Sequence, residues 1–339
     1  MALVVILHVS LWFEYRVDAD ASAMWASVNG VFAPLRMPLF FFISGMLAAP
    51  SLSKPFSSTR RKTFGLYYVY AIWTFLFAAR LWIPAARSGP EKPHIGELLL
   101  GFVLPTSLWF LWALPVFFLI SSVSARVLGR FASTALLPFA VLALVSPVIE
   151  SATINLASEP TAAIMLGSVA SNLVWFYAGT CGKAAWLGSM VSARWWKFLL
   201  CTVIYVTLYA TLVLADLTEV LRFILAPIAL LAAAQFLALV DMRSPISRAF
   251  RWLGELTLPV YIFHFVALTV LTGVATLTPI FVFTGSNPLL WGAVLPPTLA
   301  LAIVLASRTM GQLILRSRFR WLLAAPDWVV GASRPLLRG

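Results

Sequence analysis

The most restrictive feature of the chain is a series of apolar runs, each close to the length of a membrane-spanning helix. A bilayer core of ~30 Å is crossed by about 20 apolar residues in a helix. Only short polar stretches separate the runs, and none of them is large enough for a soluble domain. The runs lie at about 1–13, 31–49, 64–84, 108–124, 132–149, 162–181, 197–215, 221–240, 256–277 and 290–306. We therefore predict an all-α, polytopic membrane helix bundle with about ten transmembrane helices.

Composition predicts the same class of protein. Hydrophobic residues make up 61% of the 339 residues, and charged residues make up 11%. A soluble domain of this size cannot bury that much apolar side chain and still present a wetted surface. The two cysteines, Cys181 and Cys201, predict neither a disulfide framework nor a metal site.

Charge alternates between successive loops and predicts the orientation of the chain. Most acidic residues fall in one set of loops, around Glu14–Asp20, Glu91–Glu97, Glu150–Glu159 and Asp216–Glu219. Because cytoplasmic loops carry the excess of Lys and Arg, both termini are predicted to be cytoplasmic. The net charge of +12 is then mainly a matter of topology, and nucleic acid is not an expected partner. The basic set contains Lys54, Arg60, Arg61, Lys62, Arg126, Arg130, Lys183, Arg194, Lys197, Arg243, Arg248, Arg251, Arg308, Arg316, Arg318, Arg320, Arg334 and Arg338.

The chain is predicted to consist of a transmembrane domain, 1–310, and a basic cytoplasmic tail, 311–339. The first run is too short to cross a membrane alone, so the first helix is expected to be truncated. The longest polar connection, 85–107, contains Gly89, Pro90 and Pro93 and predicts a loop. A short dipping segment is expected within it, at 97–104.

Two ionisable residues are predicted to lie at the same depth in the first two runs. His8 and Arg36 are each about five residues, or roughly 7–8 Å, below the outer boundary of the membrane. Ionisable groups inside a membrane are costly and mark functional sites by default. The alternatives are a structural hydrogen bond for His8 and an arginine that extends to the interface. Matching depth is what a shared site requires.

Three further positions carry open interpretations. His264 follows Pro259 in the ninth run, near mid-membrane, and is either functional or a hydrogen-bonded polar residue of the bundle. Trp109 opens the fourth run, where an interfacial tryptophan is the simplest interpretation. The basic run 60–62 fits a topology determinant, a contact with anionic lipid or a site for donor phosphates.

Several stretches, taken in order, resemble the membrane acyltransferase 3 family of integral-membrane O-acyltransferases. They are "ALVVILH", "RMPLFFFISGML", "TRRKTFGLYYVYAIW", "SLWFLWALPVFFLI" and "LGELTLPVYIFHF", and the resemblance extends over nearly the whole chain. It implies transfer of an acyl group, most simply acetyl, from acyl-CoA to a hydroxyl of a carbohydrate or glycolipid outside the cytoplasm. It also implies a bacterial plasma-membrane protein with no bound cofactor, whose partners are acyl-CoA, this acceptor and membrane lipids.

The resemblance implies a role for each candidate residue. His8 is expected to be the general base, or alternatively a transient acyl carrier, because acyl transfer needs a group that takes the hydroxyl proton. Arg36 is expected to orient the acceptor or to stabilise negative charge in the transition state. The phosphates of the donor are expected to bind Arg60, Arg61 and Lys62. The acceptor sugar is expected to stack on Trp109, and Tyr261 and His264 are secondary candidates. A transporter or flippase for a polar lipid or glycan is the alternative function, because intramembrane charges serve transport too.

Overall fold

Helices account for nearly all of the described chain. The computed structural model describes residues 1–14, 19–80, 95–156, 160–215, 217–277 and 288–331, and these residues form no strand. The all-α prediction is confirmed, and each predicted apolar run coincides with a described helix. The helices are α1 (Ala2–Glu14), α2 (Ala19–Ala48), α3 (Phe56–Arg80), α4 (Ile95–Val103), α5 (Trp109–Leu128), α6 (Leu136–Leu156), α7 (Pro160–Val191), α8 (Trp195–Leu214), α9 (Thr218–Leu239), α10 (Pro245–Gly254), α11 (Thr257–Leu277), α12 (Pro288–Arg316) and α13 (Asp327–Val330).

Within the described residues, six segments are long and apolar enough to cross a membrane. They are Met24–Ser51, Trp109–Ile154, Ala162–Val191, Trp195–Leu214, Thr257–Val274 and Gly292–Arg316, while α1 and part of α9 are shorter apolar helices. Repeated apolar helices of this length make the chain a multi-pass integral membrane protein. That all ten helices cross the membrane, and that both termini are cytoplasmic, stay predictions.

The chain packs as two compact units. The first unit consists of Met1–Arg36 and Ser189–Leu323. The second consists of Met37–Gly188 together with the described C-terminal residues 324–331. The helix α2 therefore contributes its N-terminal part to one unit and its C-terminal part to the other.

The core of the first unit is built where α1 packs against α11 and α12. Val5 and Val9, one helical turn apart on α1, are fully buried and so define its inner face. They pack against a group of side chains from α11 and α12, namely Val260, Ala300, Ile303 and Val304. This packing fixes the rotation of α1 about its axis, and hence the direction of the side chains next to the two valines.

In the second unit, the short helix α4 is held against the middle of α3. The hydroxyl of Tyr70 lies 2.7 Å from the carbonyl oxygens of both Gly101 and Leu104, which share its single proton, and accepts the Thr106 N–H at 3.2 Å. Tyr67 donates to the Phe102 carbonyl at 2.6 Å. These bonds satisfy backbone groups that α4 leaves open at its C-terminus. The segment expected at 97–104 overlaps the helix Ile95–Val103, and that it dips into the membrane stays a prediction.

A backbone-to-backbone contact joins α2 and α7 in the second unit. A Cβ on Gly45 would overlap the Phe176 carbonyl, and a Cβ on Gly179 would overlap the Phe42 carbonyl. The two glycines are therefore reciprocal, each making room for the other helix. Small residues at such crossings allow close van der Waals packing, which drives helix association in lipid.

Replacing Gly45 by alanine is expected to destabilise the protein by about 1–3 kcal/mol, because the added methyl forces the two helices apart. The measurement is the midpoint of unfolding in detergent. Gly188→Ala is the matched control on α7, since a Cβ there would meet no atom within 4 Å. Equal midpoints for the two variants would contradict the close crossing.

Candidate functional site

Two side-chain hydrogen bonds define the register between α1 and α2 in the first unit. Asn29 Nδ2 donates to Ser10 Oγ at 2.8 Å, and Arg36 Nη1 donates to the Leu3 carbonyl at 3.5 Å. The helices thus run antiparallel, with Ser10 beside Asn29 and the Arg36 guanidinium beside Leu3. The backbone of Arg36 lies farther along the pair than this guanidinium and is therefore offset from that of His8.

The Arg36 side chain closes this offset. It runs back along α2 toward the helix N-terminus, the direction in which helical side chains point. Its Nη2 donates to the Asn29 carbonyl, seven residues earlier, at 3.2 Å. The guanidinium therefore lies against α1 at Leu3, five residues before His8 on the same helix. The length of the arginine, rather than equal backbone depth, brings its charge to the helix that carries His8.

His8 and His264 form a pair of neighbouring imidazoles. Their ring centroids are 5.2 Å apart, and the planes are inclined by 35°. Phe265, the next residue on α11, lies 5.0 Å from the His8 ring, centroid to centroid. His8 is partly exposed, whereas His264 is completely buried. One histidine can therefore meet a substrate, while the other is enclosed behind it.

The hydrogen bonding of His264 fixes its tautomer. Its Nδ1 lies 3.1 Å from the Val260 carbonyl, one turn earlier on α11. A carbonyl oxygen can only accept, so Nδ1 carries the proton and a neutral ring leaves Nε2 as an acceptor. This Nε2 is buried and has no hydrogen-bond partner among the described residues. Buried polar atoms are normally paired, so an open acceptor at this position calls for an explanation.

Sequence analysis missed the residues that connect these groups. Tyr261, which the sequence predicts as a secondary candidate, is buried. Its ring centroid is 5.8 Å from that of His264. Asn29, Ser10 and Phe265 had not been candidates. A signal for Asn29 existed, because residues seven apart share one face of a helix and Asn29 stands seven before Arg36.

The basic residues at the start of α3 lie in the second unit. Arg60 is exposed, and the side chain of Arg61 lies outside the described part of the structure. Lys62 Nζ donates to Ser51 Oγ at 2.8 Å and to the Leu47 carbonyl, in the last turn of α2, at 3.3 Å. Partial burial lowers the pKa of Lys62, and the nearby Lys54 lowers it further. Lys62 is thus partly engaged in holding the end of α2, although both Lys62 and Arg60 are exposed.

Trp109 packs against other aromatic residues of the second unit, and its place at the outer interface stays a prediction. Its backbone N–H bonds to the carbonyl of Thr106, whose own N–H donates to the Tyr70 hydroxyl. The partly buried Trp109 ring lies 5.7 Å from Phe41, centroid to centroid, in an aromatic cluster of the second unit. Packing explains this tryptophan, and sugar stacking stays a prediction.

Comparison with known proteins agrees with the resemblance. The acyltransferase 3 family model, described as an acyltransferase domain, matches residues 1–307. The chain is also similar to the inner membrane protein YcfT of Escherichia coli (strain K12), with 27% identity over 193 residues, 53% of this chain and 49% of YcfT. The chain thus spans about half the length of this relative. No solved structure matches it. Because the family model extends over both units, the chain belongs to the acyltransferase 3 family.

Proposed function

We propose that the protein transfers an acyl group, most simply acetyl, from acyl-CoA to a hydroxyl of a carbohydrate or glycolipid at the outer face of a bacterial plasma membrane. The family match supports acyl transfer in general and favours it over the transport alternative. The observation that carries the specific proposal is the partly exposed His8 imidazole on a helix that the Arg36 guanidinium contacts. A base and a fixed positive charge are what hydroxyl acylation needs.

The proposed reaction begins when His8 takes the proton from the acceptor hydroxyl. The hydroxyl oxygen attacks the thioester carbonyl, and negative charge develops on the carbonyl oxygen. Arg36 stabilises that charge, or holds the acceptor in line for attack. The C–S bond then breaks, and the protonated His8 returns the proton to the leaving sulfur. The products are an ester and free CoA thiol, and His8 is again neutral.

Arg60, Arg61 and Lys62 are proposed to bind the donor's phosphates. Guanidinium groups form paired hydrogen bonds with phosphate, and an ammonium acts as a point charge. Arg60 and Lys62 are both exposed, and Lys62 already bonds Ser51 and the Leu47 carbonyl. Lys54 and Arg126 add positive charge nearby, since Arg126 Nη2 donates to the Lys54 carbonyl at 2.8 Å.

The proposal is tested with purified full-length protein in lipid nanodiscs, [1-¹⁴C]acetyl-CoA and a panel of mono- and oligosaccharides. We expect CoA thiol to be released together with a labelled product that alkali cleaves, as an oxygen ester requires. A labelled product that resists alkali would contradict ester formation. Movement of a sugar across proteoliposomes without any acyl donor, and no labelled product, would favour the transport alternative.

A further inference from the structure

We infer that His264 is a positioning residue whose Nε2 accepts a hydrogen bond from His8 and so fixes the orientation of the catalytic imidazole. The inference rests on the proposed function of His8. It concerns a residue that makes no contact with the reacting hydroxyl, because its ring is completely buried.

The Nε2 atom of His264 is a hydrogen-bond acceptor that the described residues leave unpaired. The bond from Nδ1 to the Val260 carbonyl, at 3.1 Å, locks the His264 ring in one rotamer and one tautomer. Nε2 is then a lone-pair acceptor in an apolar interior, without a partner among the described residues. Leaving such an acceptor unpaired costs about 1–3 kcal/mol, so a donor is expected during at least part of the reaction.

The rings around His264 identify His8 as the donor to Nε2. Tyr261 and Phe265 flank the His264 ring, with centroids at 5.8 and 4.1 Å, and His8 is the neighbouring ring on α1 at 5.2 Å. Neither ring nitrogen of His8 forms a hydrogen bond with another described residue. A modest rotation of His8 about its side-chain torsions, or one bridging water, would join its N–H to His264 Nε2. The imidazole of His8 then keeps its second nitrogen unprotonated and turned away from His264.

A hydrogen bond from His8 to His264 also serves the proposed chemistry of His8. A general base must present a lone pair, not an N–H, to the acceptor hydroxyl. A neutral imidazole has one of each, so a fixed acceptor behind His8 selects the productive tautomer. When His8 takes the hydroxyl proton, its other N–H stays bonded to His264, and no net proton leaves the pair. Groups that orient a catalytic histidine in this manner act through it and do not contact the substrate.

Two substitutions separate this role from a structural one, because asparagine and glutamine mimic different nitrogens of histidine. In His264→Asn, the short amide can keep the bond to the Val260 carbonyl but places nothing at Nε2. In His264→Gln, the longer side chain can place its oxygen near the former Nε2. We expect kcat to fall roughly 10–100-fold in His264→Asn, by analogy with partners that orient metal-bound histidines. The Gln variant should stay within about 10-fold of wild type, and KM for acetyl-CoA should change in neither.

Three kinetic outcomes would overturn the inference: an active Asn variant with an inactive Gln variant, two active variants, or two inactive variants. Failure of the proposed function is distinguishable, since wild-type protein would then make no labelled ester at all.

A second measurement needs neither activity nor a variant that folds. Nitrogen-15 NMR of histidine-labelled wild-type protein should show His264 with its proton on Nδ1 and with Nε2 as an acceptor. A proton on Nε2 of the neutral ring would overturn the inference.

Discussion

Alanine at position 8 is expected to abolish acyl transfer while leaving the protein in the membrane. A positioned general base contributes typically 10²–10⁴-fold, so kcat in His8→Ala should fall by at least about that factor. The effect should be large because His8 is the partly exposed imidazole of the pair, and His264 is too deeply buried to replace it. The rate is measured as labelled ester formed from [1-¹⁴C]acetyl-CoA in nanodiscs.

A matched control shows whether the loss comes from chemistry or from a weakened α1. Leu11→Ala truncates an exposed side chain, 39% accessible, on the same helix and should leave transfer close to wild type. Both variants should insert into membranes and elute as single species in detergent. Wild-type turnover by His8→Ala would rule out the assignment of His8.

The same variant distinguishes a base from an acyl carrier. If His8 carried the acyl group, wild-type protein would show a burst of thiol release without acceptor and would gain the mass of an acetyl group. A general base gives neither signal, because no bond forms between the protein and the acyl group. We expect thiol release only when acceptor is present.

Hydropathy predicts which residues form helices, but it does not predict which face of each helix packs against its neighbours. The cost of burying charge in lipid was sufficient to select His8 and Arg36 from the sequence. The contact between His8 and His264 depends instead on the face of α1 that packs against α11, which Val5 and Val9 determine together with their partners. No local pattern specifies that long-range choice.

The break between α4 and α5 shows a second limit of sequence analysis. Trp109 resembles an interfacial residue because it starts an apolar run. Its surroundings depend on Tyr70, a residue distant in sequence whose hydroxyl lies 2.7 Å from the carbonyl oxygens of Gly101 and Leu104. A break between two helices depends on such partners to satisfy its polar groups, and they cannot be identified before the packing is known.

Removing the charge of Arg36 is expected to have the second largest effect. In Arg36→Gln, kcat/KM should fall by at least about 100-fold, the range measured when a charge-stabilising donor is lost from an active site. Arg36→Lys should recover only part of this, because an ammonium cannot bond the Leu3 and Asn29 carbonyls and still present a planar donor to an oxyanion. Both variants are measured in the assay that is used for His8→Ala.

Arg36 also ties α1 to α2, so its chemical role must be separated from this structural one. Ser10→Ala is the matched control, since it removes the hydrogen bond from Asn29 across the same pair of helices without changing charge. If Arg36 acted only as a tie, Ser10→Ala would lower transfer to a similar degree. We expect Ser10→Ala to retain transfer within about 10-fold, because a neutral hydrogen bond contributes only about 0.5–1.5 kcal/mol.

The division of the Arg36→Gln effect between kcat and KM then identifies what the guanidinium does. An arginine that only binds the acceptor, equally in the ground state and the transition state, raises the acceptor KM when it is lost and leaves kcat unchanged. An arginine that stabilises the developing oxyanion acts only in the transition state, so its loss lowers kcat. The guanidinium already uses Nη1 and Nη2 on backbone carbonyls, which fixes its plane before substrate binds. A preorganised donor of this kind favours transition-state stabilisation, and we expect the fall to appear in kcat.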